Sequence, residues 1–175
     1  MGTPEIVSAA AAVVSAVGGA FAALAAFRSA ASARVAQQSA AAAEHRAALR
    51  QIGTTATEVL IEAERIASRG NDLKIAYQTL FTFAGQSGGS RKKLYESAVD
   101  EKLKHASELA DYAKLFTTAA EKLDGTPPEE TDRVQVRLSN TLTEIRALRE
   151  DLERELSGVE GQSATYRDKA IKGSM

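Results

Sequence analysis

The chain has 175 residues, with 22 basic side chains against 23 acidic, 44% hydrophobic content and no cysteine. That length suits one main folded unit. Near-balanced charge argues against a broad nucleic-acid-binding surface, and the lack of cysteine excludes disulfides, thiolate metal sites and cysteine nucleophiles. Two histidines, no tryptophan and 5% aromatics leave little from which to build a catalytic or base-stacking site, so no cofactor, no metal and no nucleic-acid partner is expected.

Alanine is concentrated in the first 50 residues, and no charged residue lies between Glu5 and Arg28. The uncharged stretch Ile6 to Phe27 would rise about 33 Å as a helix, enough for a hydrocarbon core of about 30 Å. Valine, phenylalanine and leucine favour insertion, while Ser8, Ser15, Gly18 and Gly19 oppose it; the competing reading is an alanine-rich helix buried in a soluble bundle. The first five residues carry no Lys or Arg, unlike a cleaved secretory signal, and Gly2 lacks the downstream Ser or Thr of a myristoylation site. Residues 1–27 are therefore read as a retained membrane anchor, with membrane lipid as a partner. Arg28, Arg34, Arg46 and Arg50 come next with only Glu44 opposing them, which places the N-terminus outside and the C-terminal domain in the cytoplasm, as in a single-pass protein of a bacterial inner membrane. Ala11, Ser15, Gly19 and Ala23 recur every four residues and make a candidate stripe for self-association in lipid.

Residues 28–160 are read as a helical bundle or coiled-coil-like stalk, since no proline occurs between Pro4 and Pro127 and good helix formers dominate. Val35, Gln38, Ala42, His45, Leu49, Ile52, Ala56, Val59, Ala63 and Ile66 alternate steps of three and four, a heptad seam. Arg69-Gly70-Asn71-Asp72 has the composition of a C-cap followed by a new N-cap, which predicts a first helix over about 28–69 and a short one over about 72–84. Gly85 to Ser90 forms a break, with Ser90 suited to cap a helix over about 91–124. Tyr95, Val99, Ala106, Leu109, Ala113, Phe116, Ala120 and Leu123 continue a seam there, in which Lys102 occupies one position. Thr126-Pro127-Pro128-Glu129 has capping-box spacing, with Thr131 as an alternative cap, and opens a helix over about 127–158. Leu138, Leu142, Ile145, Leu148, Leu152, Leu156 and Val159 are its apolar stripe. The polar tail, 161–175, is expected to be disordered. The fold class is all-α: one N-terminal transmembrane helix, then an antiparallel helical bundle or stalk.

His45 and His105 lack the Glu-x-x-His spacing of a bundle di-iron site and the His-Glu-x-x-His of a zinc protease. No nucleophile elbow or phosphate-binding loop is present. Arg91, Lys92 and Lys93 crowd the first turn of their helix, where the macrodipole disfavours cations; with Ser87 and Ser90 they are candidates for binding an anion or an acidic partner. In layout the chain resembles bacterial single-span proteins with cytoplasmic helical stalks, such as the membrane-bound b subunit of the ATP synthase stator, although such a stalk continues as one long helix. The expected function is that of a non-enzymatic, membrane-anchored interaction or scaffold protein with a protein partner or a second copy of itself. The alternatives are a membrane-active holin-, spanin- or toxin-like protein and a soluble, surface-coating helical module of the alanine-rich phasin type.

Overall fold

Alanine, leucine and the long charged side chains lose little on entering a helix, and the chain is helical nearly throughout. A computed structural model describes the backbone of residues 3–85 and 89–173, and the side chains of 26–85, 89–119 and 121–172. Helix α1 spans Thr3–Phe83, α2 Ser90–Lys114, the single turn α3 Ala119–Lys122, and α4 Pro128–Gly173. Contacts divide the chain into two units, Met1–Arg46 and Ala47–Met175.

In the first unit the described side chains, 26–46, are exposed apart from a half-buried His45. The expected seam therefore does not begin at Val35, which is 65% exposed. Val35, Gln38 and Ala42 have the heptad spacing without the burial, because alanine and glutamine remove too little apolar surface from water to bind a neighbouring helix. Among the described residues no helix is long and apolar enough to cross a membrane. The stripe Ala11, Ser15, Gly19 and Ala23 and all of the anchor expected over 1–27 except Ala26 and the exposed Phe27 fall on side chains outside that description.

The second unit is a three-helix bundle. Leu49, Ile52, Ala56, Val59, Ile66, Leu73, Tyr77 and Leu80 of α1 are buried against Val99, Ala106, Ala113, Leu138, Ile145, Leu152 and Val159. Lys74 of α1 meets Asp100 of α2, and Gly70 meets Leu103, so α2 runs antiparallel to α1. Glu58 and Glu62 meet Arg146 and Arg149, so α4 runs parallel to α1.

Four expectations from sequence are corrected by this fold. The helix does not end near Gly70: α1 passes through it, and the seam continues as Ile66, Gly70, Leu73, Tyr77 and Leu80 without losing its three-four step. Gly70 is buried because Leu103 packs onto it; a Cβ there would stand 2.6 Å from Leu103 Cδ2. Next, the helix expected over 91–124 stops at Lys114, after which the Leu115 and Phe116 amides bond three residues back, to the Tyr112 and Ala113 carbonyls, and the ladder tightens and ends. The capping box at Thr126 does not form either. Its hydroxyl donates backward to the Leu123 carbonyl, and α4 opens on Pro128 with Thr131 buried inside its first turns. Finally, the expected disorder of the tail is corrected over residues 161–173, since α4 runs to Gly173 and buries Ser163 four residues beyond Val159.

Candidate functional site

The bundle has two chemically different ends. At one end the turn after Phe83 delivers the start of α2 beside the last turns of α4. A cleft of about 440 Å³ opens there, lined by Tyr77, Phe81, Arg91, Tyr95, Glu155 and Tyr166, among others. Its aromatic wall is a packed group: the Tyr77 and Tyr95 rings are stacked with centroids 4.8 Å apart, and Phe81 lies 5.9 Å from Tyr95. A second cleft, of about 430 Å³ between α1 and α4, includes Arg69, Ile75, Phe83, Ser163 and Arg167. The Ser163 hydroxyl is buried without a hydrogen-bond partner among the described residues.

The residues singled out from sequence fall around this end, with differences. Ser87 lies outside the described residues. Ser90 is the first residue of α2 rather than its cap; the cap is Gly89, which has no side chain to bond the first-turn amides. Arg91 lines the aromatic cleft. Lys92 reaches Glu96 at 3.5 Å. Lys93 is exposed and forms no ion pair among the described residues. No acid occupies the first turn of α2, so the local conflict between three cations and the helix N-terminus stands.

Beneath the cleft lies a polar cluster that sequence reasoning did not assemble. Lys102 donates to Asp151 at 2.5 Å and to Glu155 at 2.7 Å, and the Tyr77 hydroxyl donates to the other oxygen of Glu155. Burial raises the Tyr77 hydroxyl above the usual tyrosine range, and the hydrogen bond and negative charge of Glu155 add to that rise. Burial draws Lys102 down, but its hydrogen bonds to Asp151 and Glu155 outweigh this and hold the ammonium above the ordinary lysine value. The hydrogen bond from Lys102 holds Asp151 below the usual carboxylate range against the opposing effect of burial. The signal for this cluster was a lysine on a seam position: a half-buried ammonium requires acidic partners from the facing helix. Lys102 and Leu103 divide the work, Leu103 packing on Gly70 while Lys102 turns to α4.

Further ion pairs tie the helices together. Glu58 pairs with Arg146 at 3.1 Å and the buried Glu62 with Arg149 at 3.3 Å, while a ring nitrogen of His105 lies within hydrogen-bond distance of Glu144, at 2.9 Å. His105 is thereby engaged across α2 and α4. Among the described residues no group of three or more His, Asp or Glu side chains is placed to hold a metal ion. Most charged side chains between the helices pair with one another, Ser163 being a buried polar group that does not, and one end presents exposed cations and aromatic rings. The fold is thus that of a three-helix bundle with an ion-paired interior seam. No family model, curated protein or solved structure matches the chain.

Proposed function

We propose that the protein is a non-enzymatic, membrane-anchored helical scaffold whose first helix fixes it in the bilayer and whose bundle binds other molecules. The observation that carries this reading is the charge distribution along α1: 22 uncharged residues, Ile6 to Phe27, succeeded by Arg28, Arg34, Arg46 and Arg50 against Glu44 alone. Helical backbone over this stretch satisfies its own amides and carbonyls, the condition for entering lipid, and the arginines favour the cytoplasmic side for the residues C-terminal to the stretch. Ala11, Ser15, Gly19 and Ala23 suit close approach of a second copy.

The test is extraction of membranes containing the full chain with alkaline carbonate. Retention in the pellet, with a reporter on the C-terminus active only on the cytoplasmic side, is the expected result. Release by carbonate would replace the anchor with a peripheral, surface-coating module, and a reporter active outside the cell would reverse the topology.

A further inference from the structure

Folding brings together two basic segments that are distant in sequence. Residues 85–95 contain Arg91, Lys92 and Lys93 and no acid, and residues 161–173 contain Arg167, Lys169 and Lys172 against Asp168 alone. Arg91, Tyr95 and Tyr166 line one cleft, so the start of α2 and the end of α4 share one end of the bundle. Six cations and one acid from these segments stand there, with three further acids beside them: Glu96, held by Lys92, Glu155, held by Lys102 and Tyr77, and Glu160. At the opposite end, residues 115–133 carry five acids against two cations. Arg91, Lys93, Lys169 and Lys172 are exposed and form no ion pair among the described residues, whereas most of the other cations along the bundle, Lys74, Lys102, Arg146 and Arg149 among them, are paired.

We infer that this basic end docks on an anionic lipid surface. Three features favour lipid over an acidic protein. Interleaved with the cations are exposed amphipathic and apolar side chains, Leu94 at 68%, Tyr95 at 39% and Tyr166 at 45%, the composition that settles at a headgroup boundary. The unpaired cations are long, exposed and spread over two helices, which suits mobile headgroups better than one fixed acidic partner. Their place in the first turn of α2, without an acid, costs stability in isolation and is relieved by any layer of negative charge. Lys172, in the last turn of α4, is in addition favoured by that helix's own dipole. The inference concerns residues 89–173 and stands whether or not 6–27 span a bilayer.

The experiment uses the full chain reconstituted into phosphatidylcholine vesicles, washed with carbonate, then mixed with a second, labelled vesicle population. Surviving protein after the wash reports the anchor. Capture of labelled vesicles containing about a third phosphatidylglycerol, but not of pure phosphatidylcholine vesicles, reports the basic end. If nothing survives the wash, the anchor reading fails and the basic end is scored by direct flotation of the chain with the same two labelled populations. The R91Q/K93Q/K169Q/K172Q variant replaces four cations by neutral, polar, helix-compatible side chains and breaks no ion pair among the described residues. It should retain wild-type helicity and lose capture about tenfold or more, and wild-type capture should fall similarly when salt shortens the screening length. The K122Q/R133Q variant, altered at the acidic end, should capture as wild type. Equal capture of neutral and anionic vesicles, or equal losses in both variants, overturns the inference. So does binding to immobilised polyglutamate without vesicle capture, which would assign the surface to an acidic protein.

Discussion

Gly70 and Gly161 are both helical, and their substitution should give opposite results. Alanine at an open helical position gains about 0.5–1 kcal/mol over glycine. Nothing lies within 4 Å of a Cβ built at Gly161, so Gly161→Ala should stabilise the bundle by about that amount. At Gly70 the Cβ would meet three Leu103 carbons at 2.6 to 3.1 Å. The isobutyl group as a whole is in the way, and overpacking of about 1–3 kcal/mol exceeds the propensity gain. Gly70→Ala should therefore destabilise by about 1 kcal/mol net, and Leu103→Ala in the same chain should recover part of that, as a double-mutant cycle from urea melts would show. At the same scale, Tyr77→Phe removes a hydrogen bond to a carboxylate and should cost about 1.5–3 kcal/mol near neutral pH. The pH profile has a definite sign. Tyr77 and Lys102 titrate higher when folded, so their contributions are complete below about pH 10 and fade as pH rises through the folded values. Asp151 titrates lower when folded, so its contribution is complete above about pH 4 and fades as pH falls. Urea midpoints should form a plateau between these limits, with a shallower alkaline decline in Tyr77→Phe; an unchanged alkaline slope would mean that Tyr77 is not linked to folding.

Helix boundaries were the part of the fold that local sequence conveyed least. Apolar spacing marked the buried faces of α1 and α4 through Ile52, Val59, Leu138, Ile145 and Leu152, which are large enough to mark a seam wherever they recur, whereas the buried face of α2 rests on Val99 and small alanines and its predicted seam residue Tyr95 is exposed. Gly70 misled because Arg-Gly-Asn-Asp is turn composition in isolation, whereas the contact that holds it helical comes from Leu103, thirty-three residues away. Arg69 and Asp72, a cap pair in the local reading, face each other across one turn at 3.4 Å. The tail misled for a related reason: Ser163 and Tyr166 continue the steps after Val159, but serine and two glycines hide the period. The site was legible in part. Arg91 to Lys93 could be seen as a charge conflict, but Arg167, Lys169 and Lys172 entered only when α4 proved to be helical to Gly173. Hydrogen exchange should accordingly be slowed over residues 159–166 relative to an unstructured chain. Exchange there at random-coil rates would return the tail to disorder and remove half of the basic end.

At the scale of the molecule, the two units should respond differently to denaturant. All four tyrosines lie in the second unit, at 77, 95, 112 and 166, and the chain has no tryptophan, so intrinsic fluorescence reports on the bundle alone. The bundle is held by one continuous apolar cluster and by ion pairs joining each helix to both others, which predicts a single cooperative transition. Residues 26–44 are helical but exposed, and an alanine-rich helix without tertiary packing is only marginally stable and melts gradually. Circular dichroism at the helical band should thus show a sloping native baseline before the step that tyrosine fluorescence reports without slope. Ile145 is fully buried at the centre of α4, and Ile145→Ala should lower bundle stability by about 2–5 kcal/mol. The fluorescence midpoint should move to lower urea while the slope of the dichroism baseline stays as it was, because nothing in 26–44 rests on Ile145. Coincident transitions by both probes, shifting together in the variant, would show instead that the alanine-rich segment folds as part of the bundle.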